Sequence, residues 1–166
     1  MALALAGASV IKSKGGERMG RIEKTIEIEA PVEKVFAYVI DHENFVNNQP
    51  PDMEFKLLRK DDGPQRVGFT ATVRAKVGGN VLEVEDETTE LVKNKKYSGR
   101  QNGGSFKKFS HTELFEPTEH GTKYTTIIEY ELPYSLLGKI IDKLKVHKEM
   151  EKSFDYSMKQ TKKDLE

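Results

Sequence analysis

Apolar residues recur at every second position through the middle of this chain and at every third or fourth position near its end. In RIEKTIEIE (21–29), Ile22, Ile26 and Ile28 share one side with Lys24, while Glu23, Thr25, Glu27 and Glu29 share the other. That period of two predicts a half-buried strand. In APVEKVFAYVI the period lengthens: Val32, Val35, Phe36 and Val39 follow helical spacing behind Pro31, a residue suited to a first helical turn. DHENFVNNQPP predicts a second short helix from Asp41, stopped by Pro50 and Pro51.

Strand-like segments then alternate with turn signals at 61–64 (DDGP), 78–80 (GGN), 93–95 (KNK), 102–104 (NGG) and 119–121 (EHG). The most regular is RVGFTATVRAKV, where Val67, Phe69, Ala71, Val73, Ala75 and Val77 face one way and Arg66, Thr70, Thr72, Arg74 and Lys76 the other. Short turns between successive strands predict an antiparallel meander with one dry face. A terminal helix from about Ser135 follows Pro133, its stripe running Leu137, Ile140, Ile141, Leu144, His147, Glu151, Phe154, Met158, Thr161 and Leu165. The order of strand, two helices, about six strands and a long helix makes an α+β domain.

Only the last helix is long enough to cover the dry face: about 30 residues reach roughly 45 Å. Several inward positions are small, among them Ala71, Ala75, Gly99, Thr126 and either Ser110 or Thr112. Small side chains beneath a helix predict a cavity for an apolar ligand. The alternative is a core filled by Phe69, Tyr97, Tyr124, Tyr130, Phe154 and Met158.

Composition narrows the classes. The 166 residues suit one domain, and 27 basic residues balance 27 acidic ones, so no net charge draws the chain to nucleic acid. Without cysteine there is no disulfide or thiolate metal site. No apolar run approaches the roughly 18 residues of a membrane span. The histidines His42, His111, His120 and His147 lack metal-ligand spacing, so neither a metal nor another cofactor is expected. No nucleophile elbow or phosphate-binding glycine loop is present, and GGN and NGG read as hairpin turns. Residues 1–18, with MALALAGASVI and no positive charge ahead of it, read as a disordered leader or tag, and 19–166 as the single domain. The expected location is cytoplasmic. The lysines of the last helix read as a solvated face and leave a peripheral membrane contact open; the oligomeric state is open too.

The segments IEKTIEIEAPVEKVFAYVIDHENF, GTKYTTIIEYELPYSLLGKIIDKL and the ending MKQTKKDLE together resemble the polyketide cyclase/dehydrase and lipid-transport proteins of the START-related helix-grip superfamily. The resemblance covers about residues 21–166. It implies a helix-grip fold: a seven-stranded curved antiparallel sheet wrapped around a long C-terminal helix, with two short helices after strand 1. It also implies a hydrophobic cavity that binds lipids, polyketides, quinones or similar molecules, a minority of members being enzymes. No shared catalytic motif carries over. The chain departs at NNQPP, where members often carry an aromatic residue, and it has no tryptophan.

The resulting expectation is binding, and transport, of a hydrophobic small molecule, with catalysis the lesser reading. The cavity lining is expected from Phe69, Ala71, Val73, Val84, Tyr97, Tyr124, Ile128, Leu144 and Phe154. His147 and Glu151, four residues apart on the helix, are expected as polar anchors, or else as groups that meet water or each other. Asp86 shares the inward phase of Leu82 and Val84 and is expected to orient the ligand or pair with His147, unless a bulge turns it out. A cyclase or dehydratase using His147 with Asp86 or Glu151 is one alternative. A lipid or quinone chaperone working through a protein partner is the other.

Overall fold

Period-two alternation becomes one antiparallel sheet. The computed structural model describes residues 9–12, 18–133 and 143–166. Its strands are β1 (Ser9–Lys12), β2 (Arg18–Ile28), β3 (Lys56–Lys60), β4 (Thr70–Val77), β5 (Asn80–Val92), β6 (Lys96–Gly104), β7 (Lys108–Pro117) and β8 (Thr122–Glu131). Their order across the sheet is β1-β2-β8-β7-β6-β5-β4-β3, with every neighbouring pair antiparallel. β2 to β8 form the seven-stranded grip sheet. β1, from residues grouped with the leader by sequence, adds a short strand at the outer edge of β2. Residues 1–8 and 13–17 of that leader lie outside the described residues.

β2 and β3 sit on opposite flanks of the sheet, and two short helices, α1 (Val32–Val39) and α2 (His42–Asn47), carry the chain between them. α1 buries Val35 and Phe36. α2 starts where the Asp41 carboxylate accepts the Glu43 N–H at 2.8 Å, satisfying a donor the first helical turn leaves open. Proline then ends it: a single 3₁₀ turn, Pro51–Met53, follows Pro50. The departing segment NNQPP packs inward. Asn48 and Gln49 are buried, Asn48 donating to Thr161 and Gln49 accepting from the Ser153 hydroxyl. Amide contacts thus tie the NNQPP stretch to the last helix.

The strand alternation holds with local exceptions. Phe69, Ala71, Ala75 and Val77 are buried, but Val67 is exposed, because Gly68 adopts a left-handed conformation (φ +82°) that ends the pleat before it. The NGG segment is strand, not turn: Gly103 and Gly104 pair with Glu85 and Val84, and the chain reverses at 105–107.

The final helix, α3, is described over Lys143–Leu165. Its expected first turns, with the YSLLGK that follows Pro133, fall within 134–142, outside the described residues. Its 23 residues reach roughly 35 Å across the sheet. The buried face consists of Val146, Met150, Ser153, Ser157, Met158, Thr161 and Leu165. The row read from sequence is rotated from it, since Leu144 is 59% exposed and His147 and Glu151 are only partly buried.

A charged clamp fixes this rotation. Lys24, the polar break in the apolar side of β2, extends its Nζ to Glu151 at 3.0 Å and Asp155 at 3.2 Å. Burial presses the Lys24 pKa down, but the two carboxylates more than restore it and leave it above its ordinary value. Lys24→Ala is expected to lower stability by about 1–2 kcal/mol in urea unfolding, the range of a partly buried charged hydrogen bond. The loss should shrink in an Asp155→Asn, Glu151→Gln background. An undiminished loss there would assign the effect to the lysine stem instead.

Candidate functional site

The core is divided. Near the start of α3, Val146 and Met150 pack with Ile22, Leu82, Phe106 and Ile128. Near its end, Met158 and Leu165 pack with Ile28, Val35, Phe36 and Phe115. Between these clusters the helix offers Ser153, Phe154 and Ser157, and a cavity of about 150 Å³ opens toward the sheet. Its walls are largely apolar: Val73, Val84 and Ile128 from the sheet, Val39 and Ile40 from the end of α1, and Phe45, Phe55, Phe106 and Phe109 around them. Ser153 and Ser157 explain the gap on the helix side, since larger side chains there would fill it.

The cavity floor is polar. Asp86 from β5, His111 and Glu113 from β7, Tyr97 from β6 and Tyr124 from β8 face it, joined by His42 from the first turn of α2. His111 Nε2 lies 3.1 Å from Asp86 Oδ2, and His42 Nε2 stands 3.7 Å from that same oxygen. The second nitrogen of His111, Nδ1, is 3.7 Å from Glu113 Oε1. Tyr124 donates to Glu113 Oε2 at 2.7 Å and Thr126 donates to Oε1 at 2.9 Å. The Tyr97 hydroxyl accepts from Gln65 at 2.9 Å and lies 3.4 Å from His42 Nε2.

Gly99 makes this arrangement fit. It sits on β6 opposite Thr88 on one side and His111 on the other. A β-carbon there would lie 2.4 Å from His111 Nε2 and 2.7 and 2.8 Å from the two Asp86 oxygens. The imidazole and the carboxylate meet over a bare backbone.

Burial and pairing oppose each other at this floor. Burial alone would raise the Asp86 pKa, but the charge and hydrogen bond of His111, with His42 behind it, outweigh that and hold the carboxyl well below the usual range. Burial would lower His111, yet Asp86 and Glu113 drive it up to about 10. Asp86 and His111 therefore face each other as carboxylate and imidazolium at neutral pH. Burial, then the neighbouring carboxylates, push the Tyr97 and Tyr124 hydroxyls above their ordinary values, so both keep their protons.

Of the residues proposed from sequence, Val73, Val84, Asp86, Tyr97, Tyr124, Ile128 and Phe154 line this cavity. Five do not. Phe69 is buried outside it, stacked on His42 with ring centroids 5.8 Å apart. Ala71 lies in the β4 ladder opposite Asp86 and is buried outside the lining. Leu144 faces outward. His147 is bound to the Tyr130 hydroxyl through Nδ1 at 2.8 Å, and Glu151 is held by Lys24. The helix row containing the last three is rotated out of the cavity, His147 and Glu151 meeting β8 and β2 while Val146 and Met150 pack inward. Asp86 pairs with His111 and not with His147. The β5–β6 ladder does slip between Glu85 and Asp86, but Asp86 stays buried.

Sequence reading overlooked His42, His111 and Glu113. For β7 a signal existed: Phe109, His111, Glu113 and Phe115 alternate, and the aromatic residues at both ends mark that side as the dry one. Among the described residues no group of three or more potential ligands is arranged to hold a metal ion. No helix among them is long and apolar enough to cross a membrane.

Residues 19–166 match the sequence profile of the family described as polyketide cyclase / dehydrase and lipid transport. Among curated proteins, none matches significantly. Solved structures share the fold at low identity. The protein TTHA0849 from Thermus thermophilus is 20% identical, covering 89% of this chain and 96% of that one, with a TM-score of 0.66. A START superfamily protein from Mycobacterium smegmatis is 14% identical over 87% of this chain and 96% of its own, also with a TM-score of 0.66. The di-domain ARO/CYC protein StfQ of the steffimycin biosynthetic pathway is 11% identical over 89% of this chain and 50% of its own, with a TM-score of 0.64.

Proposed function

Since this chain belongs to the polyketide cyclase / dehydrase and lipid transport family, we propose that it binds a small hydrophobic molecule in the cavity between the sheet and α3. The apolar body of the molecule rests against Val84, Ile128, Met150 and Phe154, and its polar end lies over Asp86 and His111. The observation that carries this reading is the divided core. Protein interiors rarely leave voids larger than a water molecule, whereas here a hollow of about 150 Å³ separates two packed clusters. An apolar cavity of roughly this size is known to take up benzene. The hollow therefore holds a single ring or a short chain.

Native mass spectrometry of the protein purified from its own host tests this. The wild type is expected to carry an apolar small molecule. Ser157→Leu, which places an isobutyl group in the cavity from the buried face of α3, is expected to release it while remaining folded. A wild-type protein that arrives empty, and whose melting temperature no small apolar compound raises, would remove the proposal.

A further inference from the structure

Given that reading, the floor of the cavity also selects the ligand's polar group. The hydrogen bonds at the floor are unequally spent. On the donor side, the Tyr124 and Thr126 hydroxyls are committed to Glu113, and His111 Nε2 to Asp86. The Gln65 amide donates to both Tyr97 and Thr88. The Tyr97 hydroxyl stands 3.4 Å from His42 Nε2. On the acceptor side, Asp86 Oδ1 and Gln65 Oε1 are buried with no hydrogen-bond partner among the described residues. A buried acceptor without a donor costs free energy, and an ionised one costs more than a neutral one. Asp86 is 7% exposed and lines the cavity.

Charge points the same way. Asp86 and Glu113 bring two carboxylates to the floor, and His111 answers them with a single imidazolium already bound to one of them. An incoming carboxylate would meet an excess of negative charge at this floor. A hydroxyl or amino group would supply the donor that Asp86 lacks.

We propose that the site is selective for apolar molecules of about one ring that carry a hydroxyl or amino donor, received by the Asp86 carboxylate, and that it rejects carboxylates. Free fatty acids and aryl acids are thereby excluded as ligands, while phenols, alcohols and amines of the same shape are admitted.

Three probes of nearly one shape separate the terms: 4-methylphenol, p-xylene and 4-methylbenzoate, titrated at neutral pH into the full chain and followed by ¹H–¹⁵N chemical shifts. The phenol is expected to bind about tenfold or more tighter than p-xylene, the margin of a hydrogen bond to a charged acceptor. The benzoate is expected to bind more weakly than either. In Asp86→Asn the ratio of phenol to xylene affinity should fall toward unity. Binding of p-xylene as tight as the phenol, or a preference for the benzoate, overturns donor selectivity while hydrophobic binding stands. Failure of all three probes to bind overturns both. The wild-type comparison decides the matter even if Asp86→Asn does not fold.

Discussion

Replacing Gly99 by alanine is expected to separate Asp86 from His111 and to lower stability by about 3 kcal/mol or more, through overpacking and a broken buried ion pair together. The added methyl would fall 2.4 Å from His111 Nε2 and within 2.8 Å of both Asp86 oxygens. Neither neighbour is the loose end of a flexible chain. The His111 ring is held edge-on by Tyr97 at a centroid distance of 4.9 Å and flanked by Glu113. Asp86 springs from the middle of β5, paired on both sides. Either the pair parts, leaving two buried charges facing apolar walls, or β6 moves outward and strains its ladders with β5 and β7. Gly103→Ala is the matched control on the same strand. There the nearest atom to the new β-carbon is Glu85 Cβ at 3.9 Å, an ordinary contact, and a change within about 1 kcal/mol is expected. Urea unfolding of the two variants checks the contrast. Gly99→Ala as stable as Gly103→Ala would mean that the imidazole and carboxylate do not meet over this residue.

The importance of Gly99 was half visible in the sequence. Its phase with Tyr97 placed it on the inner face of β6, and its size suggested space, but the space is taken by a polar pair and not by ligand alone. What alternation could reveal, it did: Ile22, Lys24 and Ile28 share the inner side of β2, and Leu82 and Val84 carried Asp86 inward with them. Three features escaped because pattern alone does not determine them. On β7 each side mixes apolar with polar residues, so the set Ser110, Thr112, Leu114 competed with the true inner set of His111 and Glu113. On α3 two adjacent rows are both plausible at helical spacing, and serines at 153 and 157 disguised the inward one. Those serines are small and polar because they border a hollow, the place where an apolar stripe should fail. His42 reaches the floor only through the crossing of α1 and α2 from β2 to β3, a tertiary path that no local period encodes.

Asp86→Ala is expected to cost about 3–5 kcal/mol at neutral pH, the usual penalty for stranding one partner of a buried ion pair, and the penalty should depend on pH in a specific way. His111 in the fold titrates near 10, above its ordinary 6.5. Its contribution to stability is therefore complete below about 6.5 and fades as pH rises through about 10. Asp86 is displaced in the opposite direction from its ordinary 3.8. Its contribution is complete above that value and is lost as pH falls toward its depressed folded value. These are two views of one coupled interaction and count once. The difference between wild type and Asp86→Ala should thus be widest from about pH 4 to 6.5, and should narrow on both sides. In the variant, burial acts on His111 with only Glu113 to oppose it, so the ring should release its proton at a lower pH than in the wild type. Urea unfolding across a pH series, with the His111 ring resonances followed by NMR, measures both effects. A wild-type His111 that is neutral at pH 8, or a stability difference that stays constant from pH 5 to 10, would show that the carboxylate does not hold the imidazolium in place. The ligand-binding floor would then have to be redrawn around His42.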